Sequence, residues 1–257
     1  MTEAIFVRDG DTFVPTEHAG GPWDPGALHG GAPAALMTRA IEAVGADQQM
    51  FTSRLTFEFM RAVPMSPLRI ATEVTRPGRK IQLVEARMQA DGREVARATG
   101  LRIRELDLEP PPQPQRPMPA PPETGSPLSD LPWRGFGKAM DPRLVSGSVV
   151  DPGPATVWFR LQYPILAGEE PSPLMRAVAA ADFGNGISRV LDWNHYLFIN
   201  PDLTVYMHRR PRGEWIALEA STVAQPNGVG LAQGLLYDRD GHVGSSSQSL
   251  LLERRPT

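Results

Sequence analysis

The sequence HGGAPAALMTRAIEAV, residues 29–44, has the spacing of one long helix. Two glycines begin the stretch, and Pro33 follows in the first helical turn, where a missing N–H is tolerated. Apolar residues then recur at helical intervals, namely Ala34, Leu36, Met37, Ala40, Ile41 and Val44. We therefore predict a helix from His29 to about Val44 with one apolar face.

Strand-like segments follow this helix along the chain. Polar and apolar residues alternate with a period near two in residues 54–60, 68–74, 81–89 and 94–104. The dipeptides Pro77-Gly78 and Asp91-Gly92 lie between segments, where hairpins must reverse direction. The pattern predicts an antiparallel meander after the helix.

A proline-rich tract divides the chain. Eight of the thirteen residues from Pro110 to Pro122 are proline, and apolar periodicity stops there, as expected of extended polyproline II structure. We interpret residues 109–125 as a linker between an N-terminal module, residues 1–108, and a C-terminal module, residues 126–257. The alternative is a rigid strap on the surface of a single domain.

The order of elements repeats after the tract. Residues 155–161 read as a strand, Pro173 to about Phe183 as a helix, and further strands lie near Leu203, Trp215, Gly230 and Ser245. Leu55-Thr56 falls on Leu203-Thr204 at an offset of 148, and Asp91-Gly92 falls on Asp240-Gly241 within one residue. Agreement of element order, turn chemistry and offset predicts an internal repeat.

A helix followed by about four antiparallel strands can bury its apolar stripe against one face of a curved sheet. This is the hot-dog arrangement. Two copies side by side would cover each other's exposed edge, so we predict an α+β double hot-dog with one continuous sheet. The groove between the copies would form a long apolar ligand site.

Composition excludes several classes of protein. The chain of 257 residues has no cysteine, which removes disulfide frameworks, thiolate metal sites and cysteine nucleophiles. A net charge of −3 gives no reason to expect nucleic acid, and no run approaches the roughly 20 apolar residues of a membrane span. We predict a cytoplasmic protein without a metal, a nucleic-acid partner or a membrane partner, because residues 1–20 also lack a signal-peptide pattern.

Five stretches resemble the acyl-CoA thioesterase II (TesB-like) family of double hot-dog proteins. They are residues 28–36, 74–80, 181–183, 200–209 and 241–248. The resemblance covers nearly the whole chain apart from the linker. It implies an acyl-CoA substrate, hydrolysis of the thioester bond and no cofactor.

The resemblance also implies three site residues. In that family an Asp on the second helix, a Thr or Asn before the next strand and a Gln on the last strand act together on water. By position these are Asp182, Asn200 and Gln248. Asn200 departs from the best-known relatives, which carry Thr. Gly100 is the first-half counterpart of Gln248, which suggests that only the second half carries the full set.

Each of these residues also has a purely structural interpretation. Asp182 follows an apolar helical run, where an ionised carboxylate needs hydrogen-bond donors, but it could simply cap a turn beside Gly184. Asn200 precedes Pro201, a common pairing in turns. Gln248 could lie on the solvent face of an edge strand.

The start of the first helix supplies a second group of candidate residues. Gly30 and Gly31 would leave backbone N–H groups unpaired where the helix dipole favours negative charge, so they could polarise a thioester carbonyl. The alternative is a tight helix start eased by glycine. We expect His29, beside them, to line the substrate site, although a solvated loop position fits the sequence equally.

Other conspicuous residues carry weaker signals. Asp192 and His195 are three apart, but no second His lies within metal-ligand spacing. A basic rim formed by Arg76, Arg79, Lys80 and residues 208–210 could meet coenzyme A phosphates or could be solvated surface. No Gly-x-Ser-x-Gly motif supports a serine hydrolase.

The sequence therefore predicts an acyl-CoA thioesterase. The alternative is a double hot-dog protein that binds acyl-CoA or another lipid-like ligand without turnover, since fold does not establish function. A hydratase on the same fold would pair an Asp with a nearby His on the helix, and Asp182 has no such neighbour in sequence. Edge strands also favour a homo-oligomer.

Overall fold

One sheet runs through the computed structural model, which describes residues 3–45 and 49–255. The first half contributes β1 (Phe6–Asp9), β2 (Thr12–Pro15), α1 (Gly31–Ala43), β3 (Met50–Phe59), β4 (Leu68–Arg76), β5 (Ile81–Ala90) and β6 (Arg93–Arg104). The second half contributes β7 (Ser126–Pro127), β8 (Met140–Gly147), β9 (Ala155–Leu161), α2 (Pro173–Ala181), α3 (Gly184–Ile187), β10 (Tyr196–Ile199), β11 (Asp202–Met207), β12 (Ile216–Ala224), β13 (Val229–Asp238) and β14 (Gly241–Arg254).

The order of strands confirms the double hot-dog prediction. The sheet runs β1-β2-β4-β5-β6-β3-β11-β14-β13-β12-β9-β8-β7, with β10 added beside β14. The halves meet where β3 pairs with β11, and there Thr56 pairs with Thr204, the residue 148 positions later. The sheet therefore has an approximate two-fold axis at this pair. Equivalent strands of the two repeats, such as β6 and β14, lie on opposite sides of the axis.

The two long helices pack antiparallel against each other inside the curve of the sheet. The start of α1 meets the end of α2, because a Cβ added to Gly31 would lie 3.1 Å from the carbonyl oxygen of Ala179. At the opposite end, Ser172 Oγ lies 2.6 Å from Glu42 Oε2. Apolar side chains of both helices and of strands from both halves form one core. At each end of the helix pair, the start of one helix therefore lies beside the end of the other.

Some predicted boundaries shift. Helix α1 is Gly31–Ala43 rather than His29 to Val44, and α2 stops at Ala181, after which the chain turns into α3. Strands β1, β2, β7, β8 and β10 were not predicted. All of these except β8 contain four residues or fewer, too few for a clear alternation. The second-half turn falls on Arg239-Asp240 instead of Asp240-Gly241.

The proline-rich tract has no regular secondary structure up to residue 121, and a short 3-10 helix, Pro122–Thr124, follows. Residues 105–121 are largely exposed, and the tract reaches the second half at Pro122, which is buried. Trp158 Nε1 donates a hydrogen bond to the carbonyl oxygen of Ala120 at 2.7 Å, which fixes the last part of the tract against β9. Within the described ranges, no helix is long and apolar enough to span a membrane.

Candidate active site

Asp182 lies where α2 ends. Its helical backbone angles, φ −72° and ψ −10°, continue the last turn, and the preceding residues 177–181 are fully buried. The Asp182 side chain is itself only 2% exposed. An ionised carboxylate at such a place requires hydrogen-bond donors to replace water.

The donors come from two side chains distant in sequence. Asn200 Nδ2 donates to Asp182 Oδ1 at 2.9 Å, and Gln248 Nε2 donates to the same oxygen at 3.1 Å. The structure thus brings together the three residues that the family resemblance indicates. Both donors are amides, which hold the carboxylate without adding a positive charge.

Gln248 is fixed from both ends of its amide. Its Oε1 accepts from the backbone N–H of Asn185 at 3.0 Å, and its Nε2 also lies 3.2 Å from the carbonyl oxygen of Asp182. The residue is 1% exposed on β14, which lies between β11 and β13. The alternative of a solvent-facing Gln on an edge strand is therefore wrong.

Gly184 makes room for this contact. A Cβ at Gly184 would lie 3.0 Å from Gln248 Oε1, so the glycine lets α3 approach β14. Asn185, the next residue, was not predicted as part of the site. Its Nδ2 donates to the carbonyl oxygen of Phe198 at 2.7 Å, which ties α3 to β10, the strand that leads to Asn200. In sequence, the glycines around Asn185 indicate only a turn.

The three residues at the start of α1 reach the same carboxylate. His29 Nδ1 lies 2.9 Å from Asp182 Oδ2 and 3.1 Å from the backbone nitrogen of Gly31. A Cβ added to Gly30 would lie 2.8 Å from Asp182 Oδ2, and one added to Gly31 would lie 2.8 Å from a ring carbon of Phe136. Neither glycine has a positive φ. Their role is therefore close approach and not an unusual backbone angle.

A large cavity opens beside these residues. Its volume is about 780 Å³, and His29, Gly30, Asp182 and Asn200 lie in its wall. The remainder of the wall is mainly apolar and rich in aromatic rings, including Trp23, Trp133, Trp193, Phe59 and Phe183. Exposed Arg61 and Arg134 also line it, so that side of the cavity reaches solvent. The cavity combines an apolar volume with one buried carboxylate.

The other predicted candidates lie elsewhere. Asp192 and His195 contact each other at 3.3 Å with both side chains largely exposed. Within the basic rim, Arg209 forms a two-pronged ion pair with Asp238 at 2.6 Å, and neither it nor Arg76, Arg79 or Lys80 lines the large cavity. In the part of the chain that the structure describes, no group of three or more acidic or His side chains could hold a metal ion.

Comparison with known proteins agrees with this architecture. Residues 19–103 match the family model of the acyl-CoA thioesterase N-terminal domain, and residues 111–252 match the model of the C-terminal domain. A comparison with curated protein sequences finds no match.

Solved structures of similar fold cover nearly the whole chain. A putative thioesterase II from Thermobifida fusca has a TM-score of 0.77 and 20% identity, over 97% of this chain and 95% of that one. A hot-dog protein of unknown function from Alicyclobacillus acidocaldarius has 0.76 and 18%, over 98% and 96%. The acyl-CoA thioesterase II TesB2 of Mycobacterium marinum has 0.68 and 18%, over 90% and 92%. At these identities the structures establish the fold, whereas the two domain models identify the family. The chain is thus a thioester hydrolase that belongs to the acyl-CoA thioesterase family.

Proposed function

We propose that the protein hydrolyses an acyl-CoA thioester to the free acid and coenzyme A, with Asp182 orienting the attacking water. One observation carries the proposal: three polar side chains from separate parts of the chain converge beside an apolar cavity. Asn200 and Gln248 both donate to Oδ1 of Asp182. The second oxygen, Oδ2, is free of both amides and lies 2.9 Å from His29 Nδ1, and both residues line the cavity. A water molecule held by this Asp182–His29 pair would lie next to the cavity.

The start of α1 supports the activation of the thioester carbonyl. Within the described residues, the backbone N–H of Gly30 has no acceptor, whereas that of Gly31 donates to His29 Nδ1 at 3.1 Å. Backbone N–H groups at the start of a 13-residue helix, and an unpaired one above all, favour a developing negative charge. A carbonyl oxygen beside them would be stabilised as it becomes anionic.

The cavity supports an acyl group as the part of the substrate bound beside the carboxylate. Its volume of about 780 Å³ falls within the usual range of ligand sites, and its wall is mainly apolar and contains five Trp and Phe rings. Arg61 and Arg134, at the solvent side, suit the anionic groups of coenzyme A. A thioester held between an apolar interior and a basic opening would fit this arrangement.

The proposal is tested by release of free thiol from a series of acyl-CoA esters of increasing chain length. We expect the wild type to hydrolyse at least part of the series and Asp182→Asn to lose about 10²- to 10⁴-fold in kcat, the usual contribution of general acid–base catalysis to an oriented water. Glu42→Gln is the matched control, because it changes a carboxylate at the opposite end of the helix pair. We expect it to retain the wild-type kcat.

Two results would contradict the proposal. Tight binding of acyl-CoA by the wild type without thiol release would favour a ligand-binding protein. Comparable turnover by Asp182→Asn and the wild type would remove Asp182 from the mechanism.

A further inference from the structure

We propose that His29 takes the proton from the attacking water through its Nε2 atom, while Asp182 holds the imidazole in the required orientation. The inference rests on the proposed function and identifies the proton acceptor in that reaction. It follows from a contact between the two ends of the helix pair that sequence spacing does not show. His29 and Asp182 are 153 residues apart, yet His29 Nδ1 lies 2.9 Å from Asp182 Oδ2.

The first step is the position of the imidazole proton. His29 Nδ1 lies 2.9 Å from Asp182 Oδ2, and the backbone N–H of Gly31 points at the same nitrogen from 3.1 Å. A lone pair on Nδ1 would accept from Gly31, but it would also face a buried carboxylate oxygen and repel it. If Nδ1 carries the proton, it donates to the carboxylate in a charge-assisted hydrogen bond, which is about twice as strong as the neutral bond from Gly31 that it replaces. We therefore assign the proton to Nδ1, which leaves the lone pair on Nε2.

The second step concerns the carboxylate. Asp182 Oδ1 accepts from the amides of Asn200 and Gln248, and Oδ2 then accepts from His29 Nδ1. Three N–H groups thus lie within hydrogen-bond distance of the two oxygens of Asp182. The carboxylate is thus arranged to orient and to stabilise positive charge rather than to take up a proton itself.

The third step is the access of Nε2 to the cavity. The His29 side chain lines the cavity and is 14% exposed, and its ring packs beside Phe183 and Phe136 at centroid distances of 4.5 and 5.3 Å. Nε2 has no partner in the described chain, and it does not belong to the buried polar atoms that lack one. A basic nitrogen that faces the substrate volume is therefore ready to accept a hydrogen bond from water. Imidazole is the side chain best suited to proton transfer near neutral pH.

The reaction balances with these groups. The water oxygen bonds to the carbonyl carbon, its proton moves to Nε2, and the carbonyl π electrons move to oxygen. The imidazolium is stabilised by the Asp182 carboxylate. When the tetrahedral intermediate collapses, the C–S bond breaks with its electrons on sulfur, and the proton on Nε2 passes to that sulfur. The products are a carboxylic acid and a thiol, and His29 returns neutral.

The decisive variant is His29→Asn. The Asn amide can reproduce the Nδ1–H donor to Asp182, but it has no basic nitrogen. We expect kcat for acyl-CoA hydrolysis to fall about 10²- to 10⁴-fold, with KM changed by only a few fold, because the proton acceptor acts in the transition state. His195→Asn is the matched control: it makes the same substitution in a solvent-exposed Asp–His pair, and it should leave kcat unchanged.

Chemical rescue provides an independent test. His29→Ala leaves a space beside Asp182, and added imidazole should raise its kcat in a saturable manner without affecting His195→Asn. A His29→Asn variant with the wild-type kcat, or a folded His29→Ala variant that imidazole does not accelerate, would overturn the inference. Failure of the proposed function itself has a different signature, because the wild type would then release no thiol.

Discussion

The two ends of the helix pair are built alike but carry different chemistry. At one end, His29 precedes the start of α1 and contacts Asp182 at the end of α2, with 2.9 Å between Nδ1 and Oδ2. At the other end, Ser172 precedes the start of α2 and contacts Glu42 near the end of α1, with 2.6 Å between Oγ and Oε2. Each end therefore pairs the residue before a helix with a carboxylate of the other helix.

The strands behind the two ends differ at matching positions. Gln248 pairs with Ala232 in the second half, and Gly100 pairs with Val84 in the first half. Gly100 precedes Gln248 by the repeat offset of 148 residues, and Val84 precedes Ala232 by the same offset. Gln248 holds Asp182, whereas the space beside Gly100 is filled by Ile41: a Cβ there would lie 2.7 Å from Ile41 Cγ2. The cavities at the two ends are about 780 and 230 Å³. The repeat supplies the scaffold twice, but only one end combines amide donors with a volume suited to an acyl group.

Among the substitutions that test this comparison between the two ends, Gly30→Ala should have the largest effect. The added Cβ of Gly30→Ala would lie 2.8 Å from Asp182 Oδ2, so the carboxylate or the helix start must move. Misplacement of a catalytic group by about 1 Å can cost about 10²-fold, and we expect a loss of that size in kcat. Thiol release measured at saturating acyl-CoA tests it.

Gly26→Ala is the control for this substitution. Its Cβ would meet only the Asp24 carboxylate, at 3.4 Å, and the residue does not line the cavity. Equal losses of kcat in the two variants would show that any methyl group near the start of α1 reduces turnover. Contact with Asp182 would then not explain the loss in Gly30→Ala.

The next prediction compares substitutions at Gln248 and Gly100, the equivalent positions of the two repeats. Gln248→Met keeps the length of the side chain but removes the donor to Asp182, and a hydrogen bond to a charged group is worth about 1.5–3 kcal/mol. We expect kcat to fall about 10- to 100-fold. Gly100→Ala should instead lower the free energy of unfolding by about 1–3 kcal/mol through overpacking against Ile41, with kcat unchanged. Steady-state kinetics and denaturant unfolding separate the two results, and a loss of kcat in Gly100→Ala would contradict the distinction.

A smaller effect is expected at Asn200. Asn200→Ala removes one of two amide donors to Asp182 Oδ1, but the residue is only partly buried, so water can replace part of the lost bond. We expect kcat to fall about 10-fold, the lower end of the value of a charged hydrogen bond. Thr52, one repeat length earlier, is the control, since Thr52→Ala should not change turnover. If both variants lose the same activity, Asn200 has no special role.

The fold could be predicted from sequence to a large extent because its signals are local. Helical spacing in residues 29–44, turn dipeptides such as Asp91-Gly92 and the offset of 148 all survive without tertiary information. The short strands β1, β2 and β10 escaped prediction because four residues do not define a period. The end of α2 was placed too late, near Phe183, whereas the helix stops at Ala181, the last residue of the apolar run before Asp182.

The site could be predicted only where a family resemblance supplied the residues. Spacing alone could not show that Asp182, Asn200 and Gln248 converge, because their approach depends on how α2, α3 and β14 pack together. The contact between His29 and Asp182 was beyond reach for the same reason: it requires the antiparallel packing of two helices from different halves. Asn185 was missed because its function is to join backbone segments.

The final prediction concerns Glu42, whose chemistry should affect stability and not turnover. Burial raises the pKa of Glu42 above its ordinary value of 4.5, an effect that the Ser172 hydrogen bond and the charges of Arg102 and Arg210 only partly offset. The folded state then binds a proton at Glu42 more readily than the unfolded state, so the contribution of Glu42 to the free energy of unfolding is highest below pH 4.5 and decreases as the pH rises through the raised pKa. Glu42→Gln keeps an acceptor for Ser172 Oγ–H but cannot ionise.

The stability of Glu42→Gln relative to the wild type should therefore increase from pH 4 to pH 7, as measured by urea unfolding across that range, while its kcat stays at the wild-type value. A difference in stability that does not change with pH would show that the pKa of Glu42 is not raised in the folded state. A loss of turnover would mean that this end of the helix pair also contributes to hydrolysis.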